Sequence, residues 1–272
     1  KKVSDKLEEM FKNDREDFEK KWEDIKIFIQ YGSITDEKFW DRAKSFFLLK
    51  NVEGKYFTLD EYKTYIETLQ KDKNETLVYL YAADAEKQHI YIQSAQERGY
   101  DVLLMDSILD AHFINMLEQK LEKSKFARVD ADVIDKLIEK EDSLISKLSE
   151  EERKNLSEIF ENSVEKEKFT VVVESLNDTD LPVMIMQNEF MRRFQDMERL
   201  SGQNGMYGRF EHYNLVVNDN NEVIVNLLKE EDAEKKSQMT QQLVDLALLS
   251  QNMLTGEKLS QFVRRSLDFI AK

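Results

Sequence analysis

Residues 76–106 read TLVYLYAADAEKQHIYIQSAQERGYDVLLMD. Two short apolar runs, TLVYLYA (76–82) and DVLLMD (101–106), flank an amphipathic stretch over 84–98, and another amphipathic stretch follows over 108–122. Continuous apolar runs this short fit strands covered on both faces, whereas the stretches between them carry the helical period. The order strand, helix, strand, helix predicts a small parallel sheet with right-handed crossovers and helices on both faces. A third strand is expected near FARV (126–129).

Upstream, Val3, Leu7, Met10, Phe11, Phe18, Trp22, Ile25, Phe28 and Ile29 recur at helical spacing, and Gly32 is read as the end of that helix. In SITDEKFWDRAKSFFLLK, Thr35 is the expected N-cap, with Asp36 and Glu37 in the first turn. TLDEYKTYIETLQ carries a capping box from Thr58 to Glu61. Downstream, the charge-dense segment 130–155 holds the expected domain boundary, and a capping box from Ser149 to Glu152 starts a further helix. FTVVVESL (169–176) and LPVMIM (181–186), joined by NDTD, read as an antiparallel hairpin. A helix over 188–201, a glycine-spaced loop GQNGMYG, a strand HYNLVVN (212–218) and three closing helices complete the reading.

The expected fold is helix-rich, α/β followed by α+β. A small three-layer α/β/α domain with a short parallel sheet (residues 1–129, long helices included) precedes a C-terminal domain (130–272). The latter holds a small, mainly antiparallel sheet and a helical dimerisation hairpin. Seven glycines and one proline in 272 residues agree with long helices and few tight turns.

Composition excludes several functions. A net charge of −15 speaks against nucleic acid as a partner, because phosphate binding relies on a basic face. No apolar run approaches the ~18 residues of a membrane span, and the N-terminal stretch lacks a signal-peptide core, so no membrane partner is expected. Zero cysteines remove disulfides and thiol chemistry, in keeping with a cytoplasmic setting. His89, His112 and His212 share no metal-gripping spacing, and no phosphate-binding glycine loop or nucleophile elbow is present. No catalytic, cofactor-binding or metal-binding residue is therefore assigned. NDNNE (218–222) lacks the order of a calcium loop and reads as a turn with a helix N-cap.

Surface for macromolecules is left. Five of the ten methionines fall between residues 184 and 206. On a helical wheel Phe190, Phe194 and Met197 share one side with Met191 and Leu200 flanking, while Arg192, Arg193, Asp196 and Arg199 lie opposite. Such a stripe suits either a core helix or an adaptable protein-binding face, and the pattern leaves both open. In the penultimate helix Met239, Leu243, Leu246, Ala247 and Ser250 form a stripe, with Val244 and Leu248 on another side. Leu259, Phe262, Val263, Leu267, Phe269 and Ile270 follow in the last helix. Pairing of this hairpin with a second copy would complete a four-helix bundle.

Taken in order, FTLDEYKTYIETL, TLVYLYAAD and GYDVLLMDSILDAHFINML resemble the distal middle domain of the heat-shock protein 90 chaperones. LPVMIMQNEFMRRFQDM, YNLVVNDNNEVIVNLL and LVDLALLSQNMLTGEKLSQFVRRSLDFI resemble the C-terminal dimerisation domain of that family, most closely in its bacterial HtpG form. The resemblance implies an ATP-dependent, homodimeric chaperone that binds non-native client proteins. Its ATP and magnesium site and its catalytic arginine belong to parts not represented here, so the chain is expected to be a non-enzymatic fragment of a longer protein.

By the same resemblance, Phe190, Met191, Phe194, Met197 and Leu200 form a client-contacting helix. A second client site aligns with Ala111 and His112, which depart from the family's acidic residue and tryptophan; Phe113 and Asn115 are carried over as contributors. Met239, Leu243, Leu246, Ala247, Ser250, Phe262, Leu267 and Ile270 are the expected dimer interface. NDNNE departs from the family's N-P-D-H. The alternative function is an architectural dimerisation module that touches no client.

Overall fold

The computed structural model describes residues 2–141, 144–200 and 212–271, with the side chains of 195, 196 and 198–200 outside that description. The glycine-spaced loop and Met206 therefore lie outside the described residues. The chain forms two compact units: residues 1–140 with 189–205, and residues 141–188 with 206–272.

The first unit opens on α1 (Lys2–Asn13) and α2 (Arg15–Thr35), a pair where the sequence predicts one helix. Asp14 separates them with extended backbone, and its carboxylate accepts from Asp17 N as the cap of α2. Gly32 does not end α2. A Cβ there would stand 3.0 Å from the Phe39 ring, so the glycine admits α3 (Glu37–Ala43) to close approach. The N-cap of α3 is Asp36, whose short carboxylate accepts from Lys38 N at 2.9 Å; the Thr35 hydroxyl is already spent on the Tyr31 carbonyl.

A two-stranded antiparallel ribbon that periodicity does not flag follows, β1 (Leu48–Lys50) with β2 (Tyr56–Thr58). Thr58 then caps α4 (Leu59–Ile66) through the expected box with Glu61. Next come β3 (Leu77–Ala82), α5 (His89–Glu97), the two-residue β4 (Leu103–Leu104), α6 (Asp110–Lys120), β5 (Ser124–Arg128) and the short α7 (Ile134–Leu137). The strand order is β4-β3-β5 and both pairings are parallel, as predicted. All six residues of β3 are buried. Tyr79 stacks on Phe126 at 4.7 Å, and Phe47 lies between Trp22 (5.0 Å) and Phe113 (4.5 Å), so aromatic contacts join the sheet and α6 to the long helices.

The second unit begins with α8 (Glu150–Glu161), started by the expected box from Ser149 to Glu152. Its strands are β6 (Phe169–Glu174) and β7 (Val183–Met186); α9 (Glu189–Leu200) belongs to the first unit, and β8 (Tyr213–Asn218) returns to the second. The predicted β6–β7 hairpin does not form. β8 lies between them, parallel to β6 and antiparallel to β7, so the sheet is mixed rather than mainly antiparallel.

α10 (Glu222–Lys229) follows the NDNNE turn, capped as expected by Asn221 accepting from Val223 N. The turn itself is a polar knot. Asn218 accepts from Leu176 N and Asn220 N, and buried Asp219 meets Arg153 at 2.9 Å and accepts from Ser146. α11 (Ala233–Ser250) and α12 (Gly256–Ile270) close the chain. α11 lays Leu243, Val244 and Ala247 against the core that Leu156, Phe160, Val217 and Leu227 share.

Trp22 and Trp40 both belong to the first unit, so their fluorescence reports that unit alone. Phe113→Ala is expected to lower its stability by roughly 3–5 kcal/mol, and Thr58→Ala by about 1 kcal/mol. Both are read as midpoint shifts in urea unfolding followed by tryptophan emission; an unshifted Phe113→Ala midpoint would contradict the packing described.

Candidate protein-binding site

α9 is fastened to the first unit by its charged side. Glu189, in its first turn, accepts from Tyr81 Oη at 2.5 Å and from Arg128 N at 3.0 Å. It also receives Arg192 (3.1 Å) and Arg193 (2.7 Å), the i+3 and i+4 partners of its own helix. Arg192 is 5% exposed and reaches Asp130 at 3.2 Å. Arg193 donates to Glu118 at 2.8 Å and to the Phe126 carbonyl at 2.6 Å. Burial works against the Arg193 charge, but Glu118 and Glu189 outweigh it and hold its pKa above the ordinary arginine value.

With the charged side turned inward, Phe190 is 74% exposed. Met191, Phe194 and Met197 are half-buried, and Met197 Sδ lies 3.6 Å from Asn115 Nδ2, which brings the two predicted client sites together. The Leu200 side chain lies outside the described residues. Phe113 is a correction: it has no exposed surface and packs between Trp40 and Phe47, so it serves the core and cannot meet a partner in this fold.

The terminal hairpin sorts its predicted residues in the same way. Leu243, Ala247 and Phe262 are interior to their own unit and Met239 packs half-buried on that core, while Ser250 is half-buried and donates to the Ala247 carbonyl. Leu246, Leu267 (60%) and Ile270 (81%) are exposed, together with Leu249 and Val263, which the sequence reading did not place at the interface. Asp245 with Arg265, at 2.5 Å, and Gln242 with Ser266, at 2.8 Å, lock α11 to α12 beside this aliphatic face.

At the carboxyl ends of β3 and β4 a cleft of about 290 Å³ is lined by Tyr81, Met105, Ser107, Asp110, Arg128 and Arg193 among others. This is where an open α/β sheet would hold a nucleotide. Both of the arginines that line it are engaged by carboxylates, Arg128 by Asp130 at 2.6 Å and Arg193 by Glu118 and Glu189. Among the described residues no group of three or more His, Cys, Asp or Glu is placed to hold a metal ion, and no helix is long and apolar enough to cross a membrane.

The described chain thus combines a unit built on a parallel sheet, a unit built on a mixed sheet, an amphipathic helix held by its polar side and a helical hairpin with an exposed aliphatic face. The Hsp90 protein family matches residues 1–267, and the chain belongs to it. It is 38% identical to the chaperone protein HtpG of Bacteroides fragilis (strain YCH46) over 338 aligned residues, covering 99% of this chain and 50% of the relative. It is also 39% identical to the chaperone protein HtpG of Porphyromonas gingivalis (strain W83), covering 98% and 49%. With the HtpG of Clostridium perfringens (strain ATCC 13124) the identity is 29%, covering 93% and 40%. The chain spans about half the length of these Bacteroides and Porphyromonas relatives.

Asp110, at the floor of the cleft, ties α6 to α2 by accepting from Gln30 Nε2 at 2.6 Å and from Ser107 N at 2.6 Å. Burial pushes its carboxyl up to about 6, against those two hydrogen bonds. An acid whose folded pKa is raised favours the folded state below its unfolded pKa, and that contribution is lost as pH rises through the folded value. The stability of the natural chain relative to Asp110→Asn is therefore expected to fall by on the order of 2 kcal/mol between about pH 4 and pH 7. A difference that stays flat in urea unfolding across that range would contradict the buried carboxyl.

Proposed function

We propose that this chain is the client-binding and self-associating portion of an ATP-driven cytoplasmic chaperone, with ATP and magnesium handled by parts of the whole protein other than the residues described. It acts as a homodimer and takes non-native proteins as partners. The first domain is taken to end near residue 129 and the dimerisation domain to run over 130–272, of which residues 130–140 and α9, the segment that meets the client, pack with the first unit. The observation that carries this reading is the orientation of α9: Glu189, Arg192 and Arg193 are engaged by the first unit, and Phe190 is exposed at the head of a methionine and phenylalanine stripe. Soft, unbranched methionine adapts to irregular partners, which suits a face that accepts many unfolded segments.

The homodimer is proposed to form through Leu246, Leu249, Val263, Leu267 and Ile270. Val263, Leu267 and Ile270 recur at i, i+4 and i+7, so α12 offers one aliphatic stripe, and Leu246 and Leu249 extend it on α11. A two-fold axis would match this face to its own copy.

Phe190→Ser combined with Met197→Ser is expected to weaken capture of reduced, carboxymethylated α-lactalbumin by about tenfold, a loss of 1.4 kcal/mol, with circular dichroism unchanged. Unchanged capture would favour the architectural alternative. Leu267→Glu with Ile270→Glu is expected to halve the light-scattering mass to 32.3 kDa. A mass that the double variant leaves untouched would remove this face from the interface.

A further inference from the structure

The contact between α9 and the rest of the first unit is unusual in its chemistry. A surface helix ordinarily docks by its apolar stripe. Here Glu189, Arg192 and Arg193 face the unit, and the helix's most exposed described side chain is a phenylalanine. At 12 residues the helix is too short to persist by itself in water, so its docking decides whether it exists in this form. Among the described residues the charges in the contact are balanced. Asp130 takes Arg192, Glu118 takes Arg193, and Glu189 is shared by both arginines with Tyr81 and the Arg128 amide. Burial, and then the Glu189 charge, push the Tyr81 phenol up, which keeps it a proton donor to that carboxylate at any physiological pH. Removing one member leaves another buried and unmatched, which is far costlier than the pair is stabilising.

We propose that Glu189 is the positioning residue of an electrostatic latch that docks α9 on the α/β/α sandwich. Closed, the latch turns Phe190 outward and keeps Met197 against Asn115. Open, it releases the half-buried remainder of the stripe to a non-native chain. The second part rests on the reading of α9 as the client-contacting segment; the first does not. Ionic fastening has a signature that apolar packing lacks, since neutralising one carboxylate as its isosteric amide loosens the former and leaves the latter intact.

The test is amide hydrogen exchange over residues 190–200 of the 272-residue chain. Glu189→Gln should exchange there about tenfold faster than the natural chain, the scale of one lost charge-assisted bond, while tryptophan emission and the thermal transition of the unit are kept. Equal protection in the natural chain and Glu189→Gln would overturn the latch. Should Glu189→Gln fail to fold, Glu118→Gln removes the Arg193 partner from the other side and is judged by the same criterion. Capture of carboxymethylated α-lactalbumin on the same samples separates the two readings. Faster exchange with unaltered capture leaves the latch standing and removes the client role of the stripe, whereas unaltered exchange removes the latch whatever capture does.

Discussion

Leu77–Ala82 is a strand with no exposed residue, and that single constraint organises the first unit. A strand buried on both faces needs a neighbour on each edge and cover above and below, or its backbone and side chains meet water. Parallel neighbours can be supplied only through crossovers, which is the work of α5 and α6. Tyr79 carries the aromatic packing on towards Phe126 and Tyr62, and through Phe47 and Phe113 the core reaches the long N-terminal helices. The last residue but one of the same strand is Tyr81, whose ring is buried and whose hydroxyl reaches Glu189. The placement of the amphipathic helix is therefore a consequence of where a core strand stops.

Buried charge does the orienting that apolar packing cannot. Leucines slide past one another at little cost, but a carboxylate without its cation is penalised heavily, so each buried pair admits one relative placement of the elements it joins. Arg192 with Asp130 fixes the roll of α9 about its own axis. Asp219, fully buried between Arg153 and Ser146, fixes the turn that ends β8 against α8 and the segment before it. Asp245 with Arg265 does the same for the two terminal helices. In each case the ion pair sets geometry and the neighbouring aliphatic residues supply the stability.

What the sequence made legible was local. Capping boxes at Thr58 and Ser149 are decided within four residues, and the alternation of strand and helix over 76–129 within one crossover, so both were readable and both formed. Pairing across distance was not. β6 and β7 are close in sequence and each reads as a strand, but the strand that fits between them lies after α9, and no period in either reports it. Gly32 looked like a stop because glycine often is one; that Phe39 needs the space is visible only once α3 is folded back. The wheel placed Leu243, Leu246 and Ala247 together, but only the sheet beneath α11 decides that the first and last are inside and the middle one outside. Glu189 was the missed residue, although its spacing to Arg192 and Arg193 was a signal in plain view.

The two apolar surfaces differ in kind, and the difference bears on what each can do. Leu246, Leu249, Val263, Leu267 and Ile270 are branched, with few rotamers, on two helices locked together by an ion pair and a hydrogen bond. Such a face loses little conformational entropy on burial and holds one shape, which favours a single, repeating partner such as its own copy. Phe190, Met191, Phe194 and Met197 pair flat rings with flexible thioethers on a short helix held by charges. That face loses more entropy when it is fixed and gains it back only against partners of many shapes, each bound weakly. If the first face pairs with its own copy and the second takes clients, as proposed, separating the two by side-chain chemistry keeps association specific while capture stays permissive.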